Sequence, residues 1–163
     1  MFIVEDGTGL LNSNSYCSVE EFRLYWSDRG TDLSAYSDTQ IEQGLVKATQ
    51  YIDKNFRYIG VRPTQTQALN WPRWYAYSEE GYVYSGVPKD IISATCEACL
   101  LSLSGTQLFT SVEDGIAQKT ENVGPVQTTY VYQGQQTGRV AYQSVQVYLK
   151  DLIKSRSNRI RRY

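Results

Sequence analysis

Cys96 and Cys99 form the one C-x-x-C in the chain, a spacing that serves redox pairs and zinc sites. The 163 residues contain no histidine and only one further cysteine, Cys17. A single chain therefore lacks an all-cysteine or mixed cysteine-histidine zinc set. The pair falls inside an apolar helical run, so Cys96 and Cys99 are expected as small buried core residues. Without histidine there is no Ser-His-Asp or Cys-His arrangement. Ser-Lys and paired-carboxylate mechanisms stay open in principle, but the acids sit at capping and turn positions. No phosphate-cradling glycine loop is present. Asp6-Gly7-Thr8-Gly9 lacks the spaced oxygens of a calcium loop. The expectation is a protein with no catalytic residues, no cofactor and no metal.

Binding chemistry is more promising. Lys150 to Tyr163 holds six basic residues and one acid, a net +5. The preceding 149 residues hold ten basic and sixteen acidic groups, a net −6. An acidic body with a basic end reaches for an acidic surface, whether protein, nucleic acid or membrane. Arg156, Arg159, Arg161 and Arg162 could neutralise phosphates, and Tyr163 could stack on a base. Arg57, Arg62, Arg73, Trp71 and Trp74 could form a second aromatic-basic patch. The acidic body speaks against a dedicated nucleic-acid binder. Only Leu149, Leu152 and Ile153 would offer an apolar face to a membrane, too few for an anchor. The other unusual feature is 14 Tyr against 4 Phe, a composition favoured at interfaces or in a small core topped with amphipathic rings.

The elements that would position these groups are mostly helices. Ser18 and Glu21 form a capping box, and the helix through Phe22, Tyr25 and Trp26 should stop at Gly30. Ile41, Leu45, Ala48, Ile52 and Phe56 predict an amphipathic helix starting near Ser37 or Asp38. Gly44 inside it suggests close packing against a neighbour. Residues 57–87 break the pattern as a long aromatic loop. Pro88 suits the N1 position of a third, more buried helix that Gly105 closes. Ile116 to Glu121 and Val126 to Tyr132 are β-prone runs around a turn at Asn122 to Pro125. A last helix carries Val145, Leu149, Leu152 and Ile153 into the basic tail. No apolar run approaches a membrane span, and the first residues lack a signal-peptide pattern.

Several motifs resemble a family of tailed-phage neck proteins. They are V-E-D-G-T-G at Val4 to Gly9, N-S-Y at Asn14 to Tyr16, T-Q-A-L-N-W-P-R at Thr66 to Arg73, V-P-K-D-I-I-S-A-T-C-E-A from Val87, and K-T-E-N-V-G-P-V at Lys119 to Val126. Members are often labelled DnaT-like single-stranded DNA-binding proteins, and their genomic role resembles that of head-tail connectors. The resemblance runs from Val4 to about Ile153. It implies a mainly helical protein with a small β element, assembled as a ring, a dodecamer, beneath the portal of a capsid. It also implies that the C-terminal segment engages the portal and that the ring continues the DNA channel; an acidic channel wall, if the body's charge faces inward, would let double-stranded DNA pass without specific binding.

The sequence therefore predicts a mainly α, connector-like fold: a bundle of about four helices with a β-hairpin over 115–132 and the aromatic loop 57–87. Residues 1–149 form the body and 150–163 a basic tail continuing the last helix. The expected function is a head-to-tail adaptor in the virion neck, made in the host cytoplasm, with a phage single-stranded DNA-binding replication protein as the alternative. Expected partners are the portal, the next neck or tail-completion protein, and further copies of the chain; no membrane is involved. Portal contact is assigned to Leu149, Leu152, Ile153, Lys154, Arg156, Arg159, Ile160, Arg161, Arg162 and Tyr163. Subunit contact is assigned to Trp71, Arg73, Trp74, Tyr75, Tyr77, Tyr82 and Tyr84.

Overall fold

The computed structural model describes residues 1–109, 118–123, 126–131 and 142–154. The fold is mainly α, with four helices among the described residues. Helix α1 (Val19–Ser27) begins at the predicted box: Ser18 Oγ accepts from the Glu21 amide, and the Glu21 carboxylate accepts from the Ser18 amide. Helix α2 (Asp38–Asn55) starts with a second box, formed by Ser37 and Gln40. Each box satisfies two amides that a helix start would otherwise leave without partners. Helix α3 (Lys89–Leu103) starts one residue later than the sequence suggests. Pro88 stands at the N-cap rather than N1, in extended conformation and with no side-chain cap.

Chain Met1–Leu108 and Tyr142–Tyr163 form one compact unit, and Phe109–Ala141 form another. In the first unit α2 packs against α3, and α3 packs against α4 (Gln143–Leu149). The predicted stripe is in the core: Ile41, Leu45, Ala48 and Ile52 are fully buried, with Ile91, Ala94, Cys96 and Cys99 of α3 and Val145 and Leu149 of α4. Each side chain of Leu or Ile size contributes about 1.5–3 kcal/mol by leaving water. Gly44 lies where α2 meets α3, as the sequence suggested. Cys17, at the start of α1, places its Sγ 3.5 Å from Cys96 Sγ, and all three cysteines are free and buried.

The second unit contains strands β1 (Gln118–Val123) and β2 (Val126–Val131), paired antiparallel with Gln118 opposite Val131 and Val123 opposite Val126. Strand β1 takes in Asn122 and Val123, which the sequence reading gave to the turn, while Ile116 and Ala117 lie outside the described residues. Gly124 and Pro125 lie outside the described residues.

The last helix also differs from expectation. It ends at Leu149, and residues 150–154 are not helical. Leu152 turns into the core, fully buried. Its carbonyl accepts from the Ile59 amide at 2.9 Å, and the Lys154 amide donates to the Arg57 carbonyl at 2.7 Å. Ile153 and Tyr58 thereby form an antiparallel bridge. Apolar burial and backbone pairing together stop the helix from continuing toward the basic residues.

Candidate interaction surface

The aromatic loop between α2 and α3 is held down by its own chain. Its centre rests on Asp53 of α2. The Tyr16 hydroxyl donates to Asp53 Oδ1 at 2.7 Å, and the Asn70 amide donates to Oδ2 at 2.9 Å. The Trp71 amide donates in turn to the Tyr16 hydroxyl oxygen. Burial pushes the Asp53 carboxyl up to about 6, against the pull of the Tyr16 and Asn70 donors and the Lys54 charge. Burial and the nearby Asp53 charge also push the Tyr16 phenol well above its ordinary range.

Trp71 is fully buried, edge-on to Tyr58 and Tyr84 at centroid distances of 5.8 and 6.2 Å. The peptide bond to Pro72 is cis. Arg73 turns its guanidinium back into the loop, donating to the carbonyls of Ile59, Gly60 and Asn70 at 2.6, 2.9 and 3.1 Å. Burial and nearby Arg62 hold its pKa below the ordinary arginine value. Gly60 has φ +70°, and a Cβ there would collide with the Trp74 carbonyl, so this position needs glycine.

The V-E-D-G-T-G turn buttresses the loop from the other side. Glu5 is buried, and its carboxylate accepts from the amides of Gly7, Gly9 and Leu10 and from the Ser13 hydroxyl. Gly7 and Gly9 both have positive φ, which lets successive amides converge on one acceptor. The Leu10 carbonyl then accepts from the Ala68 amide, tying this turn to the loop. An acid followed by two alternating glycines was the signal for a carboxylate-centred nest.

What the loop presents outward is apolar and aromatic. Short backbone pairings join Val61 to Trp74 and Tyr77 to Val83. Along these segments Val61, Trp74, Tyr75, Tyr77, Tyr82 and Val83 are all more than half exposed, Tyr82 at 71%. The neighbouring exposed charges are of both signs: Arg57 and Arg62, Glu79 and Glu80. Such a face can stack on rings, pack on apolar surface or hold a cation over its π-systems. Among the described residues no group of three or more His, Cys, Asp and Glu could hold a metal ion. No helix among them is long and apolar enough to cross a membrane.

The structure thus divides the residues assigned to contacts. Trp74, Tyr75, Tyr77 and Tyr82 are exposed along the paired segments of the loop. Trp71, Arg73 and Tyr84 serve the loop's interior: Trp71 has no surface to offer, Arg73 is committed to three carbonyls, and Tyr84 is half-buried against Trp71. Of the residues assigned to the portal, Leu149 and Leu152 are core residues and Ile153 is half-buried in its bridge to Tyr58. Lys154 is exposed. Arg156, Arg159, Ile160, Arg161, Arg162 and Tyr163 lie outside the described residues.

No curated protein and no solved structure matches this chain. A family match does cover all of residues 1–163, and the chain belongs to the family described as "Putative DnaT-like ssDNA binding protein".

Proposed function

We propose that this chain is a structural assembly protein, the head-to-tail adaptor of a tailed phage, acting by assembly rather than catalysis. The observation that carries the reading is the exposed face of Trp74, Tyr75, Tyr77 and Tyr82, held on a loop pinned at Asp53, with no excess of positive charge around it. A rigid aromatic face with mixed charge suits protein contact, since aromatic residues are enriched at interface centres and charges are depleted there. Subunits closing side to side through this face would make heterologous contacts, which generate a ring when the rotation closes. The burial of Leu149 and Leu152 moves the proposed portal contact onto Lys154, Arg156, Arg159, Ile160, Arg161, Arg162 and Tyr163. A connector-type architecture, a place in the virion neck, and the portal and the next neck protein as partners all belong to this reading. So does passage of double-stranded DNA without specific binding.

The second reading is single-stranded DNA binding, and the family's printed description favours it over the first. The same exposed rings would stack on bases, with Arg57, Arg62 and the 155–163 arginines on phosphates. Co-sedimentation with the phage's portal ring, with single-stranded DNA as competitor, separates the two. Stoichiometric portal binding that DNA does not displace supports the adaptor. Absent portal binding together with tight, salt-sensitive DNA binding overturns it in favour of the family's description.

A further inference from the structure

We infer that Cys17 and Cys96 are a latent disulfide, a redox lock that ties the N-terminal segment of the chain to α3. The first observation is their contact. The two sulfurs stand 3.5 Å apart, both buried, although the residues lie 79 positions apart in the chain. A sulfur–sulfur bond would need a further approach of about 1.5 Å, a small rotation of the two side chains. Cys99, the third thiol, is turned toward α2 instead. Its sulfur faces Gly44 and lies 3.9 Å from the Ile41 carbonyl oxygen.

The second is what Cys17 is attached to. It ends the segment in which Val4 pairs with Ser15 and Glu5 gathers the amides of Gly7, Gly9 and Leu10. That segment reaches the aromatic loop through the bond from the Ala68 amide to the Leu10 carbonyl. The Ser15 hydroxyl donates to the Cys17 carbonyl at 2.7 Å, and Tyr16 donates to Asp53. A bond from Cys17 to Cys96 would therefore fasten the buttress of the loop covalently to α3. The lock does not depend on what the protein assembles with.

The third is access. Contact with the Cys96 thiol and burial push the Cys17 thiol well above its ordinary range, so the closed fold keeps it protonated and unreactive. Cys17 stands where the N-terminal segment meets α1, and terminal segments open without global unfolding. The lock forms during such an opening, with a small disulfide such as oxidised glutathione as oxidant. The Cys17 thiolate attacks it, making a mixed disulfide and releasing one glutathione, which takes the Cys17 proton. On reclosure Cys96 attacks the Cys17 sulfur. This forms the Cys17–Cys96 bond and expels the second glutathione, which takes the Cys96 proton. Two electrons pass from the protein to the oxidant. Burial then hides the bond from reducing thiols.

The full-length protein, incubated with oxidised glutathione or kept reduced, tests the lock by peptide mapping and urea titration. Mass spectrometry is expected to find the Cys17 and Cys96 peptides joined, with the loss of two hydrogens. At a fixed urea concentration the folded-to-unfolded ratio should rise roughly tenfold or more, because a bond closing a long loop restricts the unfolded chain. Cys17→Ala and Cys96→Ala should each abolish both changes, and Cys99→Ala should keep them. A Cys96–Cys99 link, or a glutathione adduct on Cys17 that never resolves, would overturn the inference. So would a Cys17–Cys96 link that leaves the urea midpoint unchanged or lower, or thiols that stay reduced even in urea that opens the N-terminal segment.

Discussion

Gly44 of α2 and Cys99 of α3 meet so closely that a Cβ on Gly44 would stand 2.9 Å from the Cys99 sulfur, with Leu103 Cγ at 3.3 Å. The contact sets how near the two central helices approach. Gly44→Ala should therefore destabilise the fold, although alanine is the better helix former by about 0.5–1 kcal/mol. Overpacking costs about 1–3 kcal/mol. Calorimetry should show a lower Tm for Gly44→Ala and partial recovery in Gly44→Ala/Cys99→Ala. A Tm at or above that of the parent would mean the helices part without cost.

Asp53 gives a pH dependence of definite sign. Burial pushes its carboxyl up to about 6 in the fold, against roughly 3.9 unfolded. Between these values the folded chain binds the proton more tightly, so stability falls as pH rises. The contribution is complete below about pH 4 and lost as pH passes about 6. Thermal melts from pH 4 to 7 should show this decline, and Asp53→Asn should flatten it. An unchanged slope in the variant would assign the decline to other groups.

Glu5 serves four donors from inside the protein. Glu5→Ala leaves those donors without an acceptor, and each unsatisfied buried group costs about 1–3 kcal/mol. Urea titration should show a large fall in midpoint. Because Leu10 holds Ala68, hydrogen exchange at Ala68 should accelerate in the same variant. Protection kept at Ala68 would separate the turn from the loop.

The final turn of the main unit predicts a difference between two truncations. Ending the chain after Leu149 removes buried Leu152 and the acceptor of the Ile59 amide, and should cost at least the about 2–5 kcal/mol of a lost core leucine. Ending it after Lys154 keeps Leu152 and the acceptor of the Ile59 amide and should avoid that loss. Equal melts for the two would contradict the role given to Leu152.

Trp74→Ala and Tyr82→Ala act on exposed rings, so each should move Tm little. On the proposed function they should weaken self-association, measured by sedimentation velocity in the presence of portal. Weakened DNA binding with unaltered self-association would instead support the second reading.

Much of this was legible in the residues. Ser18-Glu21 named a helix start because a capping box is a local chemical pattern, and the Ile41-to-Ile52 stripe named a core face because its period is the helix's own. Cys96 and Cys99 were readable as core for the same reason. The candidate surface was half legible. Tyrosine and tryptophan in 57–87 marked the region, but which rings face out depends on contacts with distant residues: Tyr16 and Asp53 for Trp71, Ile59 and Gly60 for Arg73. Leu152 misled for a related reason. Its spacing fits a continuing helix, whereas the Ile59 amide draws its carbonyl into a pairing that no local pattern records.

The return of the chain at Tyr142 to pack α4 on α3 leaves residues 109–141 as a self-contained interruption of a finished body. The entropy of closing such an excursion grows only with the logarithm of its length. Changing the length of this unit should therefore cost the helical unit little, and a splice between Leu108 and Tyr142 is where a foreign module would be tolerated first.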